Sequence, residues 1–390
     1  MKTKIINGKF IIGDQILENV ELCFENGVIT AVGQVSLECE EIIDAQGHYV
    51  APGFIDIHVH GGDHADFLDG TKEAFLKAAR LHARYGSTTI LPTATSSSFE
   101  ETLGMSKARA EAQRQNDLGA DMPGLHIEGP YFSLAQAGAQ DPHFVRNPDP
   151  KEYMAILENC PDILRWSLAP ELPGAMEFAR VLRERGIVVS AGHTDAEAED
   201  MERALKNGFN LLTHFYSCMS TVHRRNAMRY TGAVEAGYLF PEYYVEIIAD
   251  GVHLPKELLS MVYRFIGPDR TALVTDAMRG AGMTSGTCIL GSLKTGIEVI
   301  IEDGVAKLKD RSSFAGSIST TDRLVRNMIH MARDSLTDAV KMASHTPACI
   351  MGFKDRGALE IGKRADITIF DSNIYVTRTI VGGKTVFFKE

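Results

Sequence analysis

Pro52-Gly53-Phe54-Ile55-Asp56-Ile57-His58-Val59-His60 decides how the rest of the chain is read. Phe54, Ile55 and Ile57 are β-formers, so the run predicts a buried strand. Residues two apart on a strand share a face, which lets His58 and His60 converge where the strand gives way to loop. Imidazole is the commonest protein metal ligand. One such pair can equally be a hydrogen-bonded rim or core feature. Further strand-like runs, however, end in Glu128, His193, His214 and Asp276.

Outward from that strand, the middle of the chain alternates. Candidate strands are 54–58, 88–91, 124–128, 165–168, 187–191, 211–214, 245–249 and 272–275. Helical patterns such as 71–85, 150–159, 175–185, 196–207 and 255–265 separate them. Strand–helix alternation implies parallel βαβ units, and eight of them fit a (β/α)8 barrel of TIM type. A doubly wound open sheet would carry a G-x-G-x-x-G loop after its first strand; Gly61-Gly62 lacks that spacing. The glycines at 280, 282, 286, 291 and 296 predict a loop or hairpin excursion over one barrel face. Residues 1–52 are short β-like runs divided by turns such as Asn7-Gly8 and Asn26-Gly27, and the last stretch is similar. We expect 1–52 and 356–390 to form one small, sandwich-like β-domain, with the barrel spanning 53–355.

Composition narrows the function classes. The 390 residues carry a formal net charge of −11. No basic tract with interleaved aromatics is present, so nucleic acid is a poor candidate partner. No apolar run has transmembrane length, and the N-terminus does not read as a signal sequence. The six cysteines are dispersed with no CxxC, which argues against a disulfide framework and for a reducing, cytoplasmic setting.

In a barrel the C-terminal strand ends share one mouth. Such a fold would gather His58, His60, Glu128, His193, His214 and Asp276 there. Three or four N/O ligands with an open position suit catalytic Zn²⁺, and also Fe²⁺ or Mn²⁺. Such an ion lowers the pKa of bound water to about 7. Asp276 would then shuttle the proton from that water to a leaving amine, or serve as a ligand only.

The 52–60 run resembles the opening of the metal-dependent amidohydrolase superfamily. Other stretches are similar to the N-acetylglucosamine-6-phosphate deacetylase family within it: His126-Ile127-Glu128-Gly129-Pro130, Gly138-Ala139-Gln140, Ser190-Ala191-Gly192-His193-Thr194, Thr213-His214-Phe215-Tyr216, Ile248 to His253, and Leu273 to Ala277. The 359–370 run resembles the superfamily's return into the small β-domain. The resemblance implies hydrolysis of N-acetylglucosamine 6-phosphate to glucosamine 6-phosphate and acetate. It implies that Glu128, His193 and His214 hold the catalytic metal, and that His58 and His60 add a second ion bridged by Glu128, so one or two ions per subunit. Arg165–Leu168 has no lysine, which disfavours branches that bridge metals with a carboxylated lysine. Ala139, Gln140, Ser217, Cys218, His253, Phe314, Ala315 and Gly316 would line the substrate site. Two stretches depart from the family pattern. Ser217-Cys218 replaces the usual Asn-Ala, and Arg225-Asn226-Ala227-Met228 replaces Arg-Glu-Pro-Gly. Arg225 keeps the charge for phosphate, and Arg224, Arg229 and Arg279 lie close in sequence to other mouth residues. In the family this loop reaches a neighbouring subunit, which implies a homodimer. A rival reading is another amidohydrolase, deacylating an N-acyl amino acid or opening a cyclic amide.

Overall fold

The structure, a computed structural model, describes residues 2–35 and 38–389. Met1, Ser36, Leu37 and Glu390 of the expected small domain lie outside the described residues. Eight parallel strands form the central sheet: β1 (Phe54–Val59), β2 (Ser87–Ala94), β3 (Leu125–Glu128), β4 (Ile163–Leu168), β5 (Val188–Ala191), β6 (Phe209–Leu212), β7 (Tyr244–Ile247) and β8 (Thr271–Leu273). Each pairs with the next in chain order. The seam between β8 and β1 is closed just beyond β8, where Asp276 N donates to His58 O at 2.9 Å and His60 N donates to Ala277 O at 2.8 Å. This is the TIM-type barrel expected from the alternation, and its closing hydrogen bonds fall on three of the candidate site residues.

Eight helices follow the strands in turn: α1 (Lys72–Arg84), α2 (Phe99–Arg114), α3 (Pro150–Asn159), α4 (Ala175–Glu184), α5 (Ala198–Lys206), α6 (Ala233–Leu239), α7 (Lys256–Phe265) and α8 (Thr321–Asn327). Their starts are written in the sequence. Thr71 caps α1 through Ala74 N, and Ser98 with Glu101 forms a capping box on α2. Phe75, Ala78, Ala79 and Ala83 of α1 share its buried face at helical spacing and join the main core. The strands are buried on both faces, as a parallel sheet under helices requires.

Both chain ends contribute to one six-stranded sheet, in which Tyr49–Pro52 pairs antiparallel with Ile367–Phe370. A four-stranded sheet of Lys2–Ile6, Glu21–Glu25, Val28–Gly33 and Glu41–Asp44 accompanies it. Ile5, Phe10, Leu22, Phe24, Ile367, Ile369 and Ile380 share a separate apolar cluster. Between β8 and α8, Gly286–Leu290, Ile297–Glu302 and Val305–Leu308 form a three-stranded antiparallel sheet, the expected excursion. No helix among the described residues is long and apolar enough to cross a membrane.

β6 and β8 end earlier than expected, and β5 ends at Ala191 as expected. β5, β6 and β8 stop at Ala191, Leu212 and Leu273, short of His193, His214 and Asp276. Those three residues have φ of 47°, 30° and 47°. The left-handed backbone turns the chain out of its strand and aims each side chain over the mouth. Such conformations cost on the order of 1–3 kcal/mol each, and Asp and His tolerate them better than most residues.

Candidate active site

Six side chains meet at the mouth. Glu128 Oε1 lies 2.9 Å from His214 Nε2, 3.3 Å from His193 Nε2 and 3.4 Å from His58 Nε2. Its Oε2 lies 3.4 Å from His60 Nε2. His58 and His60 bring their Nε2 atoms within 3.2 Å, and Asp276 Oδ1 is 3.0 Å from His60 Nε2. The ligand atoms fall into two trios that share Glu128, namely His58 with His60 and His193 with His214.

The outer ring nitrogens show which form these imidazoles take. His60 Nδ1 faces Thr93 O at 3.2 Å, His193 Nδ1 faces Gln136 O at 2.9 Å, and His214 Nδ1 faces Ser217 O at 3.1 Å. His58 Nδ1 faces Glu246 Oε1 at 2.7 Å. Carbonyls and carboxylates only accept, so each Nδ1 carries the proton and donates it. With Nδ1 so engaged, the nitrogen left to hold a metal is Nε2, which each ring turns inward. Four such nitrogens and two carboxylates around one centre suit a cation, and fixing a ring by its other nitrogen is how proteins orient metal-bound histidine. The local field favours positive charge at this centre, carried by protons on the rings when no metal is bound. Burial opposes charge on His58, yet Glu246, Glu128 and Asp276 raise its pKa to about 10. Burial likewise opposes charge on Glu128, but His58, His193 and His214 hold it well below the usual carboxylate range. Asp276 is lowered by His58 and His60 against the same burial. The residues present thus fit a divalent metal.

A cavity of about 610 Å³ opens above this cluster. His60, Glu128, His193, His214 and Asp276 form part of its lining, and Ala139, Gln140, Ser217, Cys218, His253, Phe314 and Gly316 face it as well. Gln140 is fully engaged on one side. Its Nε2 donates to Glu128 Oε2 at 2.8 Å and its Oε1 accepts from Ser96 N at 2.7 Å. His253 Nδ1 donates to Asp250 Oδ2 at 2.8 Å, and its ring packs on Phe314 at 4.7 Å. Gly138 has φ of 59°, and a Cβ there would meet Cys218 Sγ at 2.4 Å, so the Gly138-Ala139-Gln140 turn depends on its glycine.

One expected lining residue, Ala315, lies elsewhere, and Arg225 projects away from this chain's own cavity. Ala315 is fully buried among Met278, Val299, Ile301 and Ala306, behind the wall that Phe314 and Gly316 present. Arg225 is not among the residues lining this chain's cavity. It sits on an exposed hairpin, His223–Arg225 with Met228–Tyr230, where it pairs with Glu197 at 2.9 Å and lies over the Tyr230 ring at 4.0 Å. Arg279 also turns away, pairing with Asp69 at 2.7 Å. Among the described residues, the lysine and arginine that line the cavity are Lys307 and Arg311, each already paired with Glu302.

The sequence reading missed a buried support under the cluster. Glu246 on β7 and Arg165 on β4 are both fully buried and pair at 2.5 Å. Burial opposes the Glu246 charge, but Arg165 and His58 bring its pKa down to about 2. His126 stands edge-on to His58 at 4.7 Å; burial and then Arg165 keep its pKa well below the usual histidine value. The signal was a charged residue inside each of two otherwise apolar strands, which must find a partner.

Comparison with known proteins agrees with this geometry. Residues 49–386 match the pattern of the amidohydrolase family. A Lysinibacillus sphaericus N-acetylglucosamine-6-phosphate deacetylase is 33% identical over 376 residues, covering 94% of this chain and 93% of that protein. An Escherichia coli O157:H7 N-acetylgalactosamine-6-phosphate deacetylase is 30% identical over 374 residues, covering 95% and 96%. Among solved structures, a mutant N-acetyl-D-glucosamine-6-phosphate deacetylase from Mycobacterium smegmatis, in complex with N-acetyl-D-glucosamine-6-phosphate, superposes with a TM-score of 0.89 at 28% identity over 99% of each chain. A family pattern that runs through almost the whole barrel, together with relatives matched end to end, shows that this chain belongs to the amidohydrolase family of metal-dependent hydrolases.

Proposed function

We propose that the chain removes the acetyl group of N-acetylglucosamine 6-phosphate, giving glucosamine 6-phosphate and acetate. The observation that carries this reading is the set of inward Nε2 atoms and the Asp276 carboxylate on one cavity floor. The substrate follows from the named relatives. Glu128, His193 and His214 would hold one divalent ion, and His58, His60 and Glu128 a second. Nitrogen- and oxygen-rich ligands suit zinc, with iron or manganese as alternatives. When bound, such an ion supplies a Lewis acid for the acetamide carbonyl and a water acidified to a pKa of about 7. Asp276 takes the proton of the attacking water and returns it to the departing amine nitrogen. The water oxygen joins the carbonyl carbon, the C–N bond breaks, and acetate and the free amine leave. Gln140 holds Glu128 with one amide proton and keeps a second for substrate. An amide cannot act as an acid, so proton transfer rests on Asp276. His253 and Phe314 would bound the sugar.

The same reading assigns catalysis to residues 53–355 and a supporting role to 1–52 with 356–390. It takes the chain as a cytoplasmic homodimer in which the exposed Arg225 hairpin serves the phosphate of the partner's site. The test is acetate release from N-acetylglucosamine 6-phosphate, its galacto epimer and unphosphorylated N-acetylglucosamine. We expect the first to react fastest and the last at least tenfold more slowly. Silence toward both phosphorylated sugars in the zinc-loaded protein would overturn the reading. A faster galacto epimer would support the second reading favoured by the E. coli relative, N-acetylgalactosamine 6-phosphate deacetylation.

A further inference from the structure

Three of the four site imidazoles donate their Nδ1 protons to backbone carbonyls of Thr93, Gln136 and Ser217. Those acceptors are fixed whatever side chain stands there. His58 differs, because its Nδ1 donates to a side chain, Glu246 Oε1, at 2.7 Å. The same oxygen accepts from His214 N at 3.0 Å. The other oxygen accepts from Arg165 Nη1 at 2.5 Å. Arg165 in turn donates to Ile57 O, Ser190 Oγ and Thr213 Oγ1, each at 3.1 Å. One buried ion pair therefore binds β1, β4, β5 and β7, with the segment just after β6, beneath both ligand trios.

We infer that Glu246, oriented by Arg165, is the positioning residue that fixes the His58 tautomer and so makes the His58–His60–Glu128 position able to hold its ion. The inference rests on the two-ion reading above. A guanidinium has donors only, so it claims one carboxylate oxygen and leaves the other for His58 Nδ1–H and His214 N–H. With its proton held at Nδ1, His58 presents a lone pair at Nε2. If Glu246 became Gln, the charged Arg165 would claim the amide oxygen and the NH2 would turn toward His58. His58 could satisfy that NH2 only by accepting at Nδ1, which moves its proton to Nε2 and removes the lone pair. Without Arg165, the Gln oxygen is free to face His58 again. Outer partners of metal-bound histidines are worth about 10–100-fold in metal affinity.

Binding of Zn²⁺ to metal-depleted protein tests this, read as stoichiometry and affinity, with folding checked by circular dichroism. Wild type should take two ions per chain. Glu246→Gln should take one tightly and lose the second by tenfold or more. Arg165→Met with Glu246→Gln should recover the second ion, which a role in packing or in net charge does not predict. If the single exchange fails to fold, two uncharged pairs carry the test: Arg165→Met with Glu246→Gln against Arg165→Met with Glu246→Leu. They differ in the acceptor facing His58, and only the Gln pair should keep the second ion. Equal zinc binding by these two pairs, in a chain whose wild type holds two ions, overturns the inference alone. A wild type that holds one ion under saturating Zn²⁺ overturns the two-ion reading and this inference together.

Discussion

Two arginine–glutamate pairs in this molecule share their chemistry and little else. Arg165 and Glu246 meet at 2.5 Å with no exposure, and the remaining donors and acceptors are used by strands and by two candidate ligands. Arg225 and Glu197 meet at 2.9 Å on an open hairpin, with the arginine more than half exposed. The inner pair cannot be separated without stranding a charge in a low-dielectric core. The outer pair exchanges freely with water and with any anion that approaches. The contrast separates two tasks. On the proposed function, groups that set reaction geometry are held from beneath, where nothing can compete, while Arg225, assigned to the substrate phosphate, stays where a substrate can take it from its resting partner.

The sharpest break of this contrast is at the floor of the cavity. Asp276→Asn should keep bound metal and lower kcat by about 10²–10⁴-fold, the usual scale for lost acid–base catalysis. A variant with near-normal kcat would mean that Asp276 is not the shuttle. Next comes the inner pair. Arg165→Met alone takes the guanidinium from the buried Glu246 carboxylate, and should cost about 3–5 kcal/mol of stability in denaturant unfolding. A loss below about 1 kcal/mol would place the inner pair in the class of the outer one. The smallest effect belongs to the hairpin. Arg225→Ala should leave unfolding unchanged yet raise KM for the phosphorylated sugar roughly tenfold or more, as loss of a charged hydrogen bond does. KM for the unphosphorylated sugar should stay the same. Mixing Asp276→Asn with Arg225→Ala under subunit exchange sharpens the point, since a site shared across a dimer regains activity. Exchange without recovery would confine Arg225 to its own chain or to no site at all.

The barrel was legible because parallel strands under helices leave a plain alternation, and because His58 and His60 obey the period of two. The mouth residues were legible as chemistry-bearing types at the ends of apolar runs. Arg165 and Glu246 were not singled out, since β4 and β7 entered only as members of the strand alternation and β4 was scanned only for a lysine. Opposite charges on strands that are covered on both faces could have been paired from the sequence alone. Arg225 was placed by resemblance to the family's phosphate loop, and nothing in a hairpin's composition says which way it projects. Asn226 and Ala227, with φ of 51° and 66°, turn it tightly, but its direction comes from the fold.

The left-handed backbone at His193, His214 and Asp276 bears on how this centre can be altered at all. A residue there passes two filters, one for what its side chain can donate and one for whether its Cβ tolerates positive φ. Asp, Asn and His pass the second more readily than most side chains, while β-branched residues fail it. An Asn exchange at these positions therefore reports on chemistry with the backbone left in place, whereas Val or Thr would move the strand exit itself. The repertoire available to a laboratory redesign of this floor is correspondingly short. Any new ligand set drawn from outside it would need the turns after β5, β6 and β8 rebuilt first.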